Sequence, residues 1–227
     1  MPLALKNNRI CSQARAWAFL GAMILLSLPG AAMERWTPPA ALKADFTGTA
    51  ASADARYAVA WILATADNQG LPFVIVDKKD GRIFVFEPGG QLRGASAALV
   101  GLAPGDQSVP GIGEREPSRI LPQERTTPAG RFLSEPGRNL TGEAVVWINY
   151  SEGLAIHRLR PGKSHDQRLQ RLTSITPGDN RISLGCVIVD VAFYEAVVTP
   201  VLGKNTSMVY VLPETQPVTS LFDTLAV

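Results

Sequence analysis

The sequence contains little cysteine and no strong excess of charge. Of its 227 residues only two are cysteine, and 22 Lys and Arg stand against 20 Asp and Glu, giving a net charge of +2. A near-neutral surface argues against a nucleic-acid partner, because phosphate binding requires a strongly basic face. The sequence also lacks internal repeats and low-complexity blocks.

The N-terminus has the layout of a secretory signal peptide, which we predict for residues 1–32. Basic residues up to Arg15 precede an apolar run from Ala16 to Leu28, and small residues follow. The alternative is an uncleaved membrane anchor, although the charge-free stretch from 16 to 33 has only 18 residues, the lower limit for a membrane span. Both interpretations predict an exported protein in the periplasm or cell envelope.

Removal of the signal peptide changes the charge and the size of the chain. Three cationic residues and no acidic ones leave with it, so the net charge falls from +2 to −1. The 195 residues that remain suit one sizeable domain, and the 46% apolar composition is ample for a hydrophobic core.

Cys186 is the one cysteine that remains, since Cys11 leaves with the signal peptide. No intramolecular disulfide is then possible. A lone thiol in an oxidising compartment is prone to mispairing, which favours a catalytic role. The alternative is a buried cysteine that serves as a small hydrophobic side chain.

The periodicity of the mature chain predicts mostly strands. Helical spacing predicts one helix from an N-cap at Asp54 to about Asp67. Strands are predicted at residues 73–76, 82–86, 95–102, 145–149, 154–156 and 208–212, short helices at 166–172 and after an Asp190 N-cap, and a long loop at 103–130. These elements predict a β-sandwich or partly closed barrel with mixed sheets and a few helices packed on it.

Two histidines are candidates for the base that a catalytic cysteine needs. An ordinary thiol, with a pKa of about 8.5, is only slightly ionised at neutral pH, so an acyl-transfer cysteine requires a base or a cationic neighbour. His157 follows Leu-Ala-Ile, so a strand would hold its ring in place. His165 lies in a loop-like segment that favours a solvated side chain. We therefore predict that His157 ionises Cys186.

Three segments resemble the L,D-transpeptidase catalytic domain (YkuD family). Residues 181–186, Arg-Ile-Ser-Leu-Gly-Cys, resemble its Ser-His-Gly-Cys signature. Residues 127–132, Thr-Pro-Ala-Gly-Arg-Phe, resemble its Thr-Pro-x-Gly-x-Phe element, and residues 155–157 resemble its Ile-His strand end. The resemblance extends over about 71–212 and matches the order of the segments.

The resemblance implies a division of the chain and an activity. Its divisions are a signal peptide at 1–32, a leader and helix at 33–70, an L,D-transpeptidase-like catalytic domain at 71–213 and a tail at 214–227. The implied reaction is acylation of Cys186 by a peptidoglycan stem peptide, followed by cross-linking to a second stem or a wall-attached protein. It requires no metal or organic cofactor, and carbapenems that mimic the acyl donor are expected to acylate the thiol.

The same signature suggests roles for its other residues. Gly185 permits a tight turn, and the amides around Gly185 and Cys186 are candidates to stabilise an oxyanion. Ser183 is predicted to hydrogen-bond the imidazole or the substrate, with a plain strand-end serine as the alternative. Arg181 is placed to meet a substrate carboxylate, with an exposed surface arginine as the alternative. A helix beginning near Asp190 would favour the thiolate if its N-terminus pointed there.

The segment departs from the family pattern at several positions. Leu184, assigned with Gly185 and Arg181 to oxyanion and substrate binding, replaces the usual histidine, and Ile188 replaces the usual Asn or Arg. The interval from His157 to Cys186 is 29 residues, longer than usual, with an apparent insertion within 158–180 that we interpret as a substrate-shaping loop.

These departures keep other functions open. The first is a catalytically impaired module that binds peptidoglycan or acts as a scaffold. The second is a hydrolase, an L,D-carboxypeptidase or amidase, that uses the same site. The third is a thiol protease or sortase-like transferase on an unrelated fold.

Overall fold

The computed structural model describes Phe46 and residues 48–162 and 165–222. The predicted signal peptide and most of the leader lie outside the described residues. Within the described ranges, no helix combines the length and the apolar character needed to cross a bilayer.

Strands dominate the described part of the chain. They are β1 (Phe73–Asp77), β2 (Arg82–Phe86), β3 (Leu92–Ala97), β4 (Val100–Gly101), β5 (Gly130–Arg138), β6 (Ala144–Asn149), β7 (Leu154–Arg158), β8 (Arg181–Ser183), β9 (Val187–Val189) and β10 (Ser207–Val211). Eight of them form a mixed sheet in the order β3-β2-β1-β10-β5-β6-β7-β9, and β4 pairs with β8. The β1–β10 and β7–β9 pairs are parallel.

The two ends of the eight-stranded order meet through a backbone bridge. Leu99, just after β3, donates its amide to the carbonyl of Ile188 in β9 at 2.8 Å and accepts the Ile188 amide at 2.9 Å. The sheet is therefore nearly closed. The predicted fold class, a mostly β and partly closed barrel with mixed strands, is confirmed.

The helices are short apart from the first. They are α1 (Ala53–Thr65), α2 (His165–Leu172), α3 (Val191–Phe193) and α4 (Thr199–Leu202), and a π-helical turn at Tyr194–Val198 joins the last two. The predicted Asp54 cap of α1 is wrong, because the Ser52 hydroxyl accepts the Ala55 amide at 3.0 Å. The predicted Asp190 cap is confirmed by a 2.8 Å bond from the Ala192 amide.

Alternating side chains of the sheet pack into two separate hydrophobic cores. On β1, Val74 and Val76 join a cluster with β2, β6, β7, β9, β10 and the helical segment 194–202, whereas Phe73 and Ile75 join a cluster beneath α1. The second cluster also includes Val218 and Phe222. Both α1 and the segment 214–222 thus pack against the domain that we predicted to span 71–213.

Candidate active site

Cys186 and His157 lie on one face of two neighbouring parallel strands. In the β7–β9 register His157 pairs with Ile188, and Cys186 directly precedes β9. Because alternate residues of a strand share a face, His157 and Ala155 point the same way, as do Ile188 and Cys186. All four line one cavity of about 480 Å³. The structure therefore brings the predicted nucleophile and base into a common pocket.

The His157 imidazole is buried and fixed in one tautomer. The side chain is 6% exposed, and its Nδ1 lies 2.9 Å from the carbonyl oxygen of Arg158. A carbonyl only accepts, so Nδ1 carries the hydrogen and Nε2 keeps a lone pair. Burial lowers the pKa of His157 to about 4, the Arg158 carbonyl partly opposes this, and the Arg160 guanidinium lowers the pKa further. The ring is therefore neutral near neutral pH and able to accept a proton.

The Cys186 thiol is protonated in the resting site. Its Sγ donates to the Gly153 carbonyl at 3.4 Å, and no hydrogen bond joins it to His157 among the described residues. Burial raises the pKa of the thiol, while the Ala155 amide and the Arg160 guanidinium lower it. The expectation of a thiolate ionised by the imidazole at rest is therefore not met, and proton transfer has to accompany attack on a substrate.

Ser183 and Gly185 shape the loop that carries the nucleophile. The Ser183 hydroxyl donates to the Cys186 carbonyl at 2.6 Å and accepts the Gly185 amide at 3.0 Å. Gly185 has φ +138°, and a Cβ there would lie 2.9 Å from the Thr126 carbonyl oxygen. Ser183 thus braces the loop and makes no hydrogen bond to the imidazole. Because the Gly185 amide is already engaged, the Cys186 amide is the remaining member of the predicted oxyanion pair.

Thr127 supports the same loop from the opposite side. Its hydroxyl donates to the Gly185 carbonyl at 2.6 Å and accepts the Gly101 amide at 2.8 Å. The side chain is buried, with 1% exposed. The Thr-Pro-x-Gly element was noted in the sequence, but this role of its threonine was missed, because a turn motif does not reveal which distant loop its hydroxyl will contact.

Arg181 lies away from the cavity and is already paired. Its guanidinium forms an ion pair with Glu214 and donates to the Lys78 carbonyl at 3.5 Å. It lines neither of the two cavities at Cys186. The position of Arg181 thus does not support the predicted contact with a substrate carboxylate, since its guanidinium is already paired with Glu214.

The predicted helix dipole at the thiol is also not supported. The helix capped by Asp190 begins only after β9, and the extended residues from Cys186 to Asp190 span about 13 Å at the rise of a strand. A helix terminus acts on charges within about one turn.

Cys186 lies where two cavities meet. The second cavity, of about 160 Å³, is lined by residues that include Ile112, Arg115 and Glu152. Four residues border both cavities: Pro117, Gly153, Leu184 and Cys186. Leu184 is 39% exposed and places an apolar side chain at the border of both cavities, next to Cys186 in sequence.

Two arginines of the apparent insertion reach the larger cavity. Arg160 follows β7 and Arg168 lies on α2, and both line the pocket that contains His157. Arg168 falls in the predicted helix 166–172, but neither arginine was predicted to belong to the site, and the only signal was the length of the segment. His165 begins α2, approaches Asp166 at 3.2 Å and lines neither cavity. In the described ranges no cluster of three or more His, Cys, Asp or Glu is arranged to hold a metal ion.

No protein-family model matches the sequence, and no curated protein matches it either. Among solved structures, the chain is similar to an L,D-transpeptidase from Xylanimonas cellulosilytica, at 17% identity and a TM-score of 0.39 over 62% of this chain and 60% of that one. It is similar to the helical cell shape determining protein Pgp2 from Campylobacter jejuni, at 16% identity and a TM-score of 0.40 over 65% and 49%. It is also similar to the catalytic domain of the E. faecium L,D-transpeptidase, at 17% identity and a TM-score of 0.33. The match covers 62% of this chain and 96% of that one. The chain spans less than two thirds of the first two structures.

Proposed function

We propose that this protein is an exported L,D-transpeptidase, a cysteine acyltransferase that acts on peptidoglycan stem peptides. The observation that carries the proposal is the position of Cys186, at the junction of two cavities and on the same strand face as a neutral, oriented His157. The signature residues around it supply the likeness to the family. The N-terminal pattern of the sequence supports export to the periplasm or cell envelope.

The first half of the reaction forms an acyl-enzyme. A stem tetrapeptide binds with the carbonyl of its third residue, a diamino acid, beside Cys186. The thiol proton passes to Nε2 of His157 as the sulfur attacks that carbonyl, and the Cys186 amide stabilises the oxyanion. The peptide C–N bond then breaks, and the terminal D-alanine leaves as an amine that takes the proton from His157. The product is a thioester on Cys186.

The second half transfers the acyl group. An amine from a neighbouring stem peptide, or from a wall-attached protein, gives a proton to His157 and attacks the thioester carbonyl. The C–S bond breaks, the new amide forms the cross-link, and the thiol regains its proton. Two cavities that meet at one thiol provide separate places for the donor and the acceptor. Water in place of the amine would give a carboxypeptidase or amidase at the same site.

The test is turnover of purified muropeptides by the mature protein and its variants. We expect cross-linked or exchanged products from the wild type and none from Cys186→Ala. We expect His157→Gln to lower kcat by at least about 100-fold, while His165→Gln, a matched change outside the cavities, retains activity. Intact mass measurement should show a carbapenem adduct on the wild type that is absent from Cys186→Ala. Products of equal yield from Cys186→Ala would contradict the proposal.

A second candidate is a binding module that has lost catalysis. It is favoured by the protonated thiol, which is hydrogen-bonded to Gly153 instead of the imidazole, and by Leu184 in place of a polar group. In that case wild type and Cys186→Ala would bind muropeptides with equal affinity, and neither would convert them.

A further inference from the structure

The larger cavity is cationic and has no acidic lining. Its charged side chains are Arg160 and Arg168, and no Asp or Glu is found among the residues that line it. Because burial lowers the pKa of His157 to about 4, the imidazole neither adds to nor offsets this charge near neutral pH. The cavity therefore presents two guanidinium groups and no carboxylate among its lining residues.

One hydrogen-bond donor of Arg168 has no partner among the residues that the structure describes. This donor, the Nε atom, is buried. A buried donor without an acceptor costs free energy, so the arrangement favours a ligand that supplies one. The residue lies on α2, which Leu172 anchors to the barrel.

The charge of Arg160 is only partly compensated. Its Nε lies 2.5 Å from Glu143, but the same carboxylate also binds Nε of Arg158 at 3.1 Å. Glu143 thus contacts two guanidinium groups, of which Arg158 also reaches Glu195 at 3.4 Å, and the position of Glu143 holds Arg160 at the cavity wall.

We infer that Arg160 and Arg168 bind a carboxylate of the acyl-donor peptide, close to the bond that Cys186 cleaves. The inference rests on the proposed function and names the group that the donor must carry. Planar guanidinium forks suit carboxylates and bind them through two parallel hydrogen bonds. The apolar wall of the same cavity, which includes Val145 and Trp147, accommodates the rest of the peptide. The carboxylate belongs either to the C-terminus of the leaving residue or to the side chain of the residue that acylates the thiol.

Calorimetric binding to the Cys186→Ala protein tests this assignment without turnover. Three synthetic tetrapeptides are compared: one with both carboxylates free, one with an amidated C-terminus and one with an amidated side-chain carboxylate on the third residue. We expect Arg168→Gln to weaken binding of the free peptide about tenfold. The peptide that lacks the recognised carboxylate should bind weakly and be insensitive to the variant, which identifies the source. Arg93→Gln removes the same charge at an exposed position of β3 that lines neither cavity, and this variant should bind like its parent.

Equal weakening of all three peptides by Arg168→Gln, or none, would overturn the inference. Turnover of the same peptides by protein with Cys186 intact separates it from the proposed function. Selective binding without turnover would support the inference and contradict the transpeptidase. Turnover with kcat/KM unaffected by Arg168→Gln would support the transpeptidase and contradict the inference.

Discussion

The hydroxyl of Thr127 joins the backbone of Gly185 to that of Gly101. It donates to the Gly185 carbonyl at 2.6 Å and accepts the Gly101 amide at 2.8 Å. One buried oxygen thereby connects the end of β4 to the residue directly before the nucleophile. The position of Cys186 depends on a side chain that comes 59 residues earlier in the sequence.

Replacing Thr127 with valine should both destabilise the fold and reduce activity. The change leaves the Gly185 carbonyl and the Gly101 amide without their partner, which should lower the free energy of unfolding by about 1–3 kcal/mol. The nucleophile loop should lose its position, and kcat should fall. Urea unfolding and muropeptide turnover measure the two effects. Thr127→Ser keeps the hydroxyl and should resemble the wild type; a valine variant with wild-type stability and kcat would refute the bracing role.

The reactivity of Cys186 should be that of a protonated thiol. Burial raises the pKa of the Cys186 thiol above its ordinary value, and iodoacetamide reacts with the thiolate alone. Alkylation at neutral pH should therefore be slower than that of free cysteine, and the rate should keep rising above pH 9.0. Mass spectrometry follows the adduct. Arg160→Gln, which removes a charge that lowers this pKa, should slow alkylation further, whereas a rate that levels off by about pH 8 would indicate an activated thiolate.

His157 should make the protein sensitive to acid. Its pKa is lowered to about 4 in the fold from an ordinary value of 6.5, so the unfolded chain binds the proton more readily between these two pH values. Its stabilising contribution is complete above pH 6.5 and is lost as the pH falls towards 4. This shift corresponds to about 3 kcal/mol of unfolding free energy.

The measurement is urea unfolding of wild type, His157→Gln and His165→Gln across that pH range. The glutamine at 157 cannot titrate, so its stability should fall less between pH 6.5 and 4 than that of the wild type. His165→Gln should follow the wild type. Parallel curves for all three proteins would show that the buried imidazole is not the source of the acid dependence.

Strands with a regular apolar pattern could be predicted from the sequence, and strands without such a pattern could not. Predicted residues 82–86 coincide with β2, because two apolar runs flank a polar turn. The whole of β5 was missed. Its Gly130–Arg138 segment contains Pro136 and two glycines and has no regular alternation. Pairing with β10 and β6 on either side sets its conformation instead.

The sequence pointed to two residues that share the candidate site, but it did not predict the geometry around them. Residue types pointed to Cys186 and His157 as a candidate pair, since the sequence has only two cysteines and two histidines. Arg181 was predicted to meet a substrate carboxylate, but it pairs instead with Glu214, which lies 33 residues further along the chain. Local sequence does not reveal such a partner, because it is set by how the C-terminal segment packs against the barrel.

Ile188 packs against the segment 158–180, which we interpreted as a substrate-shaping loop. It is 2% exposed and packs with Leu99, Leu159 and Leu172 of α2. Ile188→Asn should therefore cost about 2–4 kcal/mol of unfolding free energy, from lost packing and an unpaired buried amide. Ile175→Asn is the matched control in the same segment, at 99% exposure, and should change little. Equal urea midpoints for the two variants would contradict this packing role.

Lys78 is a buried cation beneath the nucleophile loop. Its ammonium donates to the carbonyl of Gly105 at 2.6 Å, to Asp106 at 2.8 Å and to the carbonyl of Thr127 at 2.9 Å. The Glu214 carboxylate lies 3.6 Å away, and the lysine side chain is fully buried. Burial alone would raise the pKa of Asp106, but hydrogen bonds from Lys78, from the Thr215 hydroxyl and from the amides of Glu214 and Thr215 hold it well below its usual range. The lysine thus links the C-terminal segment to Thr127, whose hydroxyl binds the Gly185 carbonyl beside the nucleophile.

Lys78→Met should lower the free energy of unfolding far more than Lys79→Met. Lys78→Met leaves the Asp106 carboxylate buried without its cation and Glu214 with Arg181 alone, which should cost about 3–5 kcal/mol of unfolding free energy. Lys79 is 45% exposed and pairs with Asp54 at 2.8 Å, so Lys79→Met should cost at most about 1 kcal/mol. Because the Thr127 carbonyl also loses its donor, Lys78→Met should lower kcat while Lys79→Met does not. Equal urea midpoints and kcat for the two variants would show that the buried network contributes neither to the fold nor to the position of Cys186.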